Sequence, residues 1–148
     1  MKYLNIAAAI ILIISLTSCS NDQVDVETAD HTHETSEAMM LNDGEKWHVD
    51  ENMMVFIRAM ENDVNSISVP SEEACTELVE KLNENIGELT SNCTMTGKAH
   101  DELHKWLVPY MNLVKSLEEN ANDQDDKGMG NACSNLMRSF DTFNSYFE

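Results

Sequence analysis

The residues of this chain best suited to chemistry stand in one run, Cys93-Thr94-Met95-Thr96-Gly97-Lys98-Ala99-His100-Asp101-Glu102-Leu103-His104. His100 and His104 are four positions apart, which on a helix places both imidazoles on one face, one turn from each other. Two imidazoles at that spacing can share a metal ion, and the upstream thiolate of Cys93 and thioether of Met95 would complete a mixed nitrogen and sulfur set. Soft sulfur with imidazole favours Cu(I), and zinc is next because it accepts the same cysteine and histidines. The same residues also have plainer roles. Most of the ten methionines, Met60, Met111, Met129 and Met137 among them, suit a core as flexible filler. The histidine pair could equally be solvated or hydrogen-bonded beside Asp101 and Glu102. His31-Thr32-His33 is a weaker pair, in a polar stretch that would hold a divalent ion only loosely.

Two enzyme-like motifs fail on inspection. His100-Asp101-Glu102-Leu103-His104 has the two zinc-binding histidines of a metalloprotease helix, but Asp101 stands where that motif needs a general-base glutamate, and the shorter carboxylate reaches a zinc-bound water poorly. Asp123 to Gly128 begins like a calcium loop, yet Lys127 replaces a ligand and Ser134 occupies the position of the bidentate glutamate. There is no Gly-x-Ser-x-Gly, phosphate loop or dinucleotide motif, so catalysis has no support and a non-enzymatic role is expected.

The elements that must position the histidines follow from apolar spacing of four and three, the mark of a helix with one buried stripe. Folding is expected to start near Trp47. The stripes are Met53, Ile57, Met60, Val64 and Ile67, then Cys75, Val79, Leu82, Ile86 and Leu89. A third holds Ala99, Leu103, Trp106, Tyr110 and Leu117, broadened by Leu107, Met111 and Val114, and a fourth holds Met129, Cys133, Leu136, Phe140, Phe143 and Phe147. Short connections at 68–71, 91–97 and 120–128 carry turn and capping residues, so neighbouring helices run antiparallel. These features predict an all-α, up-down-up-down four-helix bundle. Pro109 removes one backbone bond from the third helix, where a kink is expected. The start of the first helix, the end of the second and the start of the third meet at one end. Met53, Met54, Cys93, Met95, His100 and His104 should gather there, with His48 close by.

The N-terminal stretch reads as an export signal. Lys2 is followed by an apolar run from Ile6 to Ile14, too short for a stable membrane span of roughly 20 residues. Leu16-Thr17-Ser18-Cys19 resembles the lipobox of bacterial lipoproteins, in which the cysteine becomes the acylated N-terminus. The expected organisation is a signal peptide at 1–18, a lipidated, flexible acidic tether at 19–44, and a bundle domain at 45–148. Ser20-Asn21-Asp22 suits export to the outer membrane, on its periplasmic or surface face. The formal net charge is −18, and loss of Lys2 makes the mature chain more negative still. Nucleic acid is therefore excluded as a partner.

Three cysteines remain once Cys19 is lipidated. Cys75 and Cys93 are 18 residues apart, about 27 Å along one helix, too far for a disulfide. Cys75 and Cys133 fall at the same bundle end, opposite the histidines. A bridge between them would close a long loop and could stabilise by up to roughly 4 to 5 kcal/mol. Their helices are diagonal, however, and two buried thiols are the alternative. Cys93 is left over in either case.

Leu41 to Trp47, Cys93 to Leu107 and Phe143 to Phe147 together resemble a family of small bacterial lipoproteins without assigned function. That resemblance implies a lipoprotein of the envelope and supplies no activity. Asp50-Glu51-Asn52-Met53 and Asn144-Ser145-Tyr146-Phe147 loosely resemble the two haem-ligand segments of periplasmic four-helix b-type cytochromes, but Phe147 falls where that family has its histidine. Haem is accordingly the third choice of ligand. The first expectation is a lipid-anchored, metal-binding bundle using copper or zinc, and the second is a protein-interaction lipoprotein with no metal.

Overall fold

The structure, a computed structural model, describes residues 38–148. The signal peptide, Cys19, His31 and His33 lie outside the described residues. Four helices follow one another, α1 (Glu51–Ser66), α2 (Glu72–Ser91), α3 (Gly97–Asn122) and α4 (Asp126–Tyr146), with no strand among the described residues. No described helix is long and apolar enough to cross a membrane. Packing is most extensive between α3 and α4, substantial for α1 with α2 and for α2 with α3, and slighter for α1 with α4, so consecutive helices are neighbours around a four-helix bundle.

The stripes meet in a single core. Met53, Ile57, Met60 and Val64 of α1, the five α2 residues from Cys75 to Leu89, and Leu103, Trp106, Tyr110, Val114 and Leu117 of α3 are all buried. On α4, Met129, Cys133, Leu136, Phe140 and Phe143 are buried, and Phe147 just beyond the helix joins them. Met111 departs from expectation at 43% exposed. At about 100° per residue it lies roughly a quarter-turn from the line through Leu103, Tyr110 and Leu117, on the flank that also bears His100 and His104. Helix α3 continues through Pro109, which is on the exposed side, where water can take up the missing backbone bond. Asp126 to Gly128 are already helical, and only Asp123 to Asp125 separate α3 from α4.

The slighter α1–α4 contact is tied by polar groups. Arg58 donates to Glu61 (2.6 Å) and to the Asn144 side-chain oxygen (2.6 Å), while the Asn144 amide donates to Glu61 (2.7 Å). The Arg58 guanidinium also lies 5.5 Å from the centre of the Phe143 ring.

Regular contacts begin ahead of Trp47. Residues 38–44 fall within the stretch expected to be tether, yet they are held in a strap. Asn42 and Glu45 exchange backbone hydrogen bonds of 2.9 and 3.0 Å around Asp43 (φ 52°) and Gly44 (φ 96°). Two consecutive positive φ angles make this the type I′ geometry that Asp-Gly favours. The Trp47 indole donates to the Met40 carbonyl at 2.6 Å, and the Met40 amide donates to Glu102 at 2.9 Å. Trp47 forms a parallel bridge with Phe147, bonding to Tyr146 and Glu148, and Val49 also bonds to Glu148.

Among the described residues Glu102 is the one buried charged residue, 8% exposed, and it pairs with Lys105 at 2.8 Å. Burial works against its charge, but the Lys105 ammonium and the Met40 amide outweigh it and hold the carboxyl below its ordinary range. A depressed folded value contributes stability that is present above the unfolded value, about 4.3, and is lost as pH falls through the folded one. Acidification below about pH 4 should therefore loosen the strap before the bundle unfolds. Amide exchange at Met40, faster at pH 3.5 than the ordinary pH dependence allows in wild type and already fast at pH 6 in Glu102→Gln, is the expected signature. Equal protection of Met40 in both proteins at pH 6 would refute it.

Tyr110 has the opposite problem. Its ring is fully buried, stacked on Trp106 at 5.0 Å and edge-on to Phe140 at 5.2 Å, but its hydroxyl has no hydrogen-bond partner among the described residues. Burial, with Asp63 adding to it, pushes the hydroxyl pKa far up and keeps the group neutral. An unsatisfied buried hydroxyl costs about 1–3 kcal/mol, so Tyr110→Phe should stabilise the domain by about 1 kcal/mol in urea unfolding. A loss of stability would show that the hydroxyl is bonded.

Candidate metal site

The end of the bundle where α1 starts, α2 ends and α3 starts is assembled by polar contacts that no periodicity announces. The Asn52 side chain donates to the Asn92 carbonyl at 2.9 Å, and the Thr94 hydroxyl donates to the Asp50 carboxylate. Asp50, at the N-cap of α1, makes no side-chain bond to its own helix. It secures the α2–α3 connection instead. These contacts pin residues 92–96 against the start of α1 and turn Met95 inward, 9% exposed, beside a core that also holds Met53. The two thioethers are thus packed as core atoms. Cys93 is half-buried and lies against the edge of the core.

His100 and His104 occupy the first two turns of α3, His100 half-buried and His104 exposed. Their Nε2 atoms are 3.0 Å apart, the ring centres are 4.4 Å apart, and the planes meet at 73°. Among the described residues, no three side chains of His, Cys, Asp or Glu converge to hold a metal ion, so Cys93 is not brought to the imidazole pair. Glu102 is turned elsewhere, to Lys105 and Met40, which removes it as a neighbour of the histidines. Nothing in its sequence position distinguished it from a solvated helical carboxylate.

The separation itself is informative. With metal–nitrogen bonds of about 2.0–2.1 Å, two imidazoles at a right angle are about 2.9 Å apart and at a tetrahedral angle about 3.3–3.4 Å. The observed 3.0 Å lies between them. A linear Cu(I) site would need about 4 Å. The observed spacing also makes a hydrogen bond when one ring donates and the other accepts. The α3 N-terminus opposes a cation by about 0.3–1 kcal/mol. That is less than one tenfold step in affinity, about 1.4 kcal/mol, and cannot decide the matter.

Met53 and Phe147, the two positions behind the cytochrome resemblance, are both buried, and the Phe147 ring stacks on Phe143 at 4.9 Å. A separate hollow of about 320 Å³, lined by Asp63, Ser66, Ser68 and Lys81 among others, lies at the α1–α2 connection, the opposite end from the histidines. Comparisons with protein-family models, curated proteins and solved structures gave no match to this chain.

Proposed function

We propose that this chain is a lipid-anchored envelope protein, non-enzymatic, whose helical domain binds a divalent transition metal, copper or zinc, through His100 and His104. The observation that carries the reading is the pair of Nε2 atoms held 3.0 Å apart on one face of α3. A helix fixes both imidazoles beforehand, so binding orders little that is not already ordered. Water or further protein groups fill the remaining coordination positions.

The test is titration with Cu(II) and Zn(II) in a His31→Ala, His33→Ala background, which removes the histidines of the N-terminal segment. His100→Ala and His104→Ala should each weaken binding by at least about 10- to 100-fold, and binding should fall on acidification because both imidazoles must be deprotonated. Affinity no tighter than micromolar in the parent, or equal affinity in parent and variants, would defeat the reading.

A protein-contact role with no metal is the second reading, favoured by Val108 and Met111, which are 46% and 43% exposed on successive turns of α3. It is the reading left standing if the histidine variants bind as the parent does.

A further inference from the structure

Cys75 and Cys133 belong to α2 and α4, which touch only slightly across the bundle diagonal. Both are buried in the one core, at 0% and 3% exposed, and each thiol acts on the titration of the other. A lone buried cysteine is ordinary core filler. Here, two of the three cysteines among the described residues come from opposite corners of the bundle into one shared core, both as free thiols, while the third, Cys93, is at the far end.

We propose that Cys75 and Cys133 are a disulfide-forming pair that joins α2 to α4 across the bundle when the chain folds in an oxidising compartment. The oxidant is a disulfide of a protein or small-molecule thiol. One cysteine, as thiolate, attacks a sulfur of that disulfide, forming a mixed disulfide and expelling the first thiol of the oxidant. The second cysteine then attacks the mixed disulfide at its partner's sulfur and expels the second thiol. Two electrons and two protons have moved from the pair to the oxidant, and one sulfur–sulfur bond has formed.

The timing follows from burial. In the closed bundle, desolvation and the neighbouring sulfur raise the Cys133 thiol to about 11, and burial raises Cys75 as well. At neutral pH the thiolate is then scarce, about one part in ten thousand for Cys133. Exchange belongs to the stage before the helices close, and the finished core protects whichever state was reached. The pair is thus a record of the redox conditions under which the chain folded.

The full chain, purified from its native envelope without reductant and unfolded in the presence of an alkylating reagent, is the material for the test. Peptide mapping should show Cys93 alkylated and a cross-linked Cys75–Cys133 peptide. Reductant added to the folded protein should leave the link in place over hours, whereas reductant added in denaturant should remove it. Thermal unfolding of the oxidised protein should lie about 10 °C or more above that of the reduced and refolded protein. Alkylation of both Cys75 and Cys133, a link that includes Cys93, or a lower unfolding temperature for the oxidised form would each overturn the proposal.

Discussion

Trp106→Ala is expected to cost about 3–5 kcal/mol, a large part of the roughly 5–15 kcal/mol that a domain of this size has in total. Trp106 is 2% exposed and packs against Tyr110 (5.0 Å), Phe143 (4.8 Å) and Phe140 (5.7 Å). Its indole donates to the Ser139 carbonyl at 3.0 Å. It therefore joins α3 to α4 by two ring contacts and one hydrogen bond, at the most extensive helix pairing of the bundle, while Tyr110 stacks on it from within α3. Truncation removes them together and leaves a cavity that rings on a helical backbone cannot collapse to fill. Trp106→Phe retains the ring packing and should cost about 1–2 kcal/mol, the range for losing the hydrogen bond and part of the volume. Denaturant unfolding followed by circular dichroism gives both values. A loss under 1 kcal/mol for the alanine variant would mean that the aromatic cluster is not what holds the two helices together.

Cys19→Ser is expected to move the protein from the membrane fraction to a soluble or unprocessed form, because the residue proposed to carry the acyl chains is lost. The expectation rests on the apolar run from Ile6 to Ile14 and on Leu16-Thr17-Ser18-Cys19. Each buried methylene contributes about 0.8 kcal/mol, so several acyl chains hold a protein where a single one binds only marginally. No described helix is long and apolar enough to cross a membrane. Fractionation and incorporation of labelled fatty acid provide the measurement. Unchanged partitioning with unchanged labelling would remove the anchor from the account.

The helices were legible because each buries a stripe whose spacing is local. Cys75, Val79, Leu82, Ile86 and Leu89 are all buried, as their period requires. Met111 shows where that logic blurs: a residue at the margin of a stripe turns in or out according to the neighbouring helix, which the period does not contain. The strap was illegible for a stronger reason. Its fixings are backbone bonds to Glu102, Tyr146 and Glu148, and a main-chain amide carries no residue signature. The site divides along the same line. The histidine pair was readable because both members share one helix. Whether Cys93 joined them depended on how Asp50 and Asn52 anchor the α2–α3 connection, through contacts across 40 and 44 residues of sequence.

The bridge between Trp47 and Phe147 brings the two ends of the described residues together, because Met40 is held to the Trp47 indole and Ala38 is only two residues before it. A short linker from Glu148 to Ala38 would make residues 38–148 a closed ring, which could then be opened at Ser68–Val69 in the exposed turn after α1. In such a circular permutant the chain order becomes α2, α3, α4, strap, α1, so the slight α1–α4 contact becomes one between sequence neighbours. Its polar network of Arg58, Glu61 and Asn144 would then close over a short connection instead of spanning the length of the chain, so assembly of the last helix should be faster even where the final packing is unchanged.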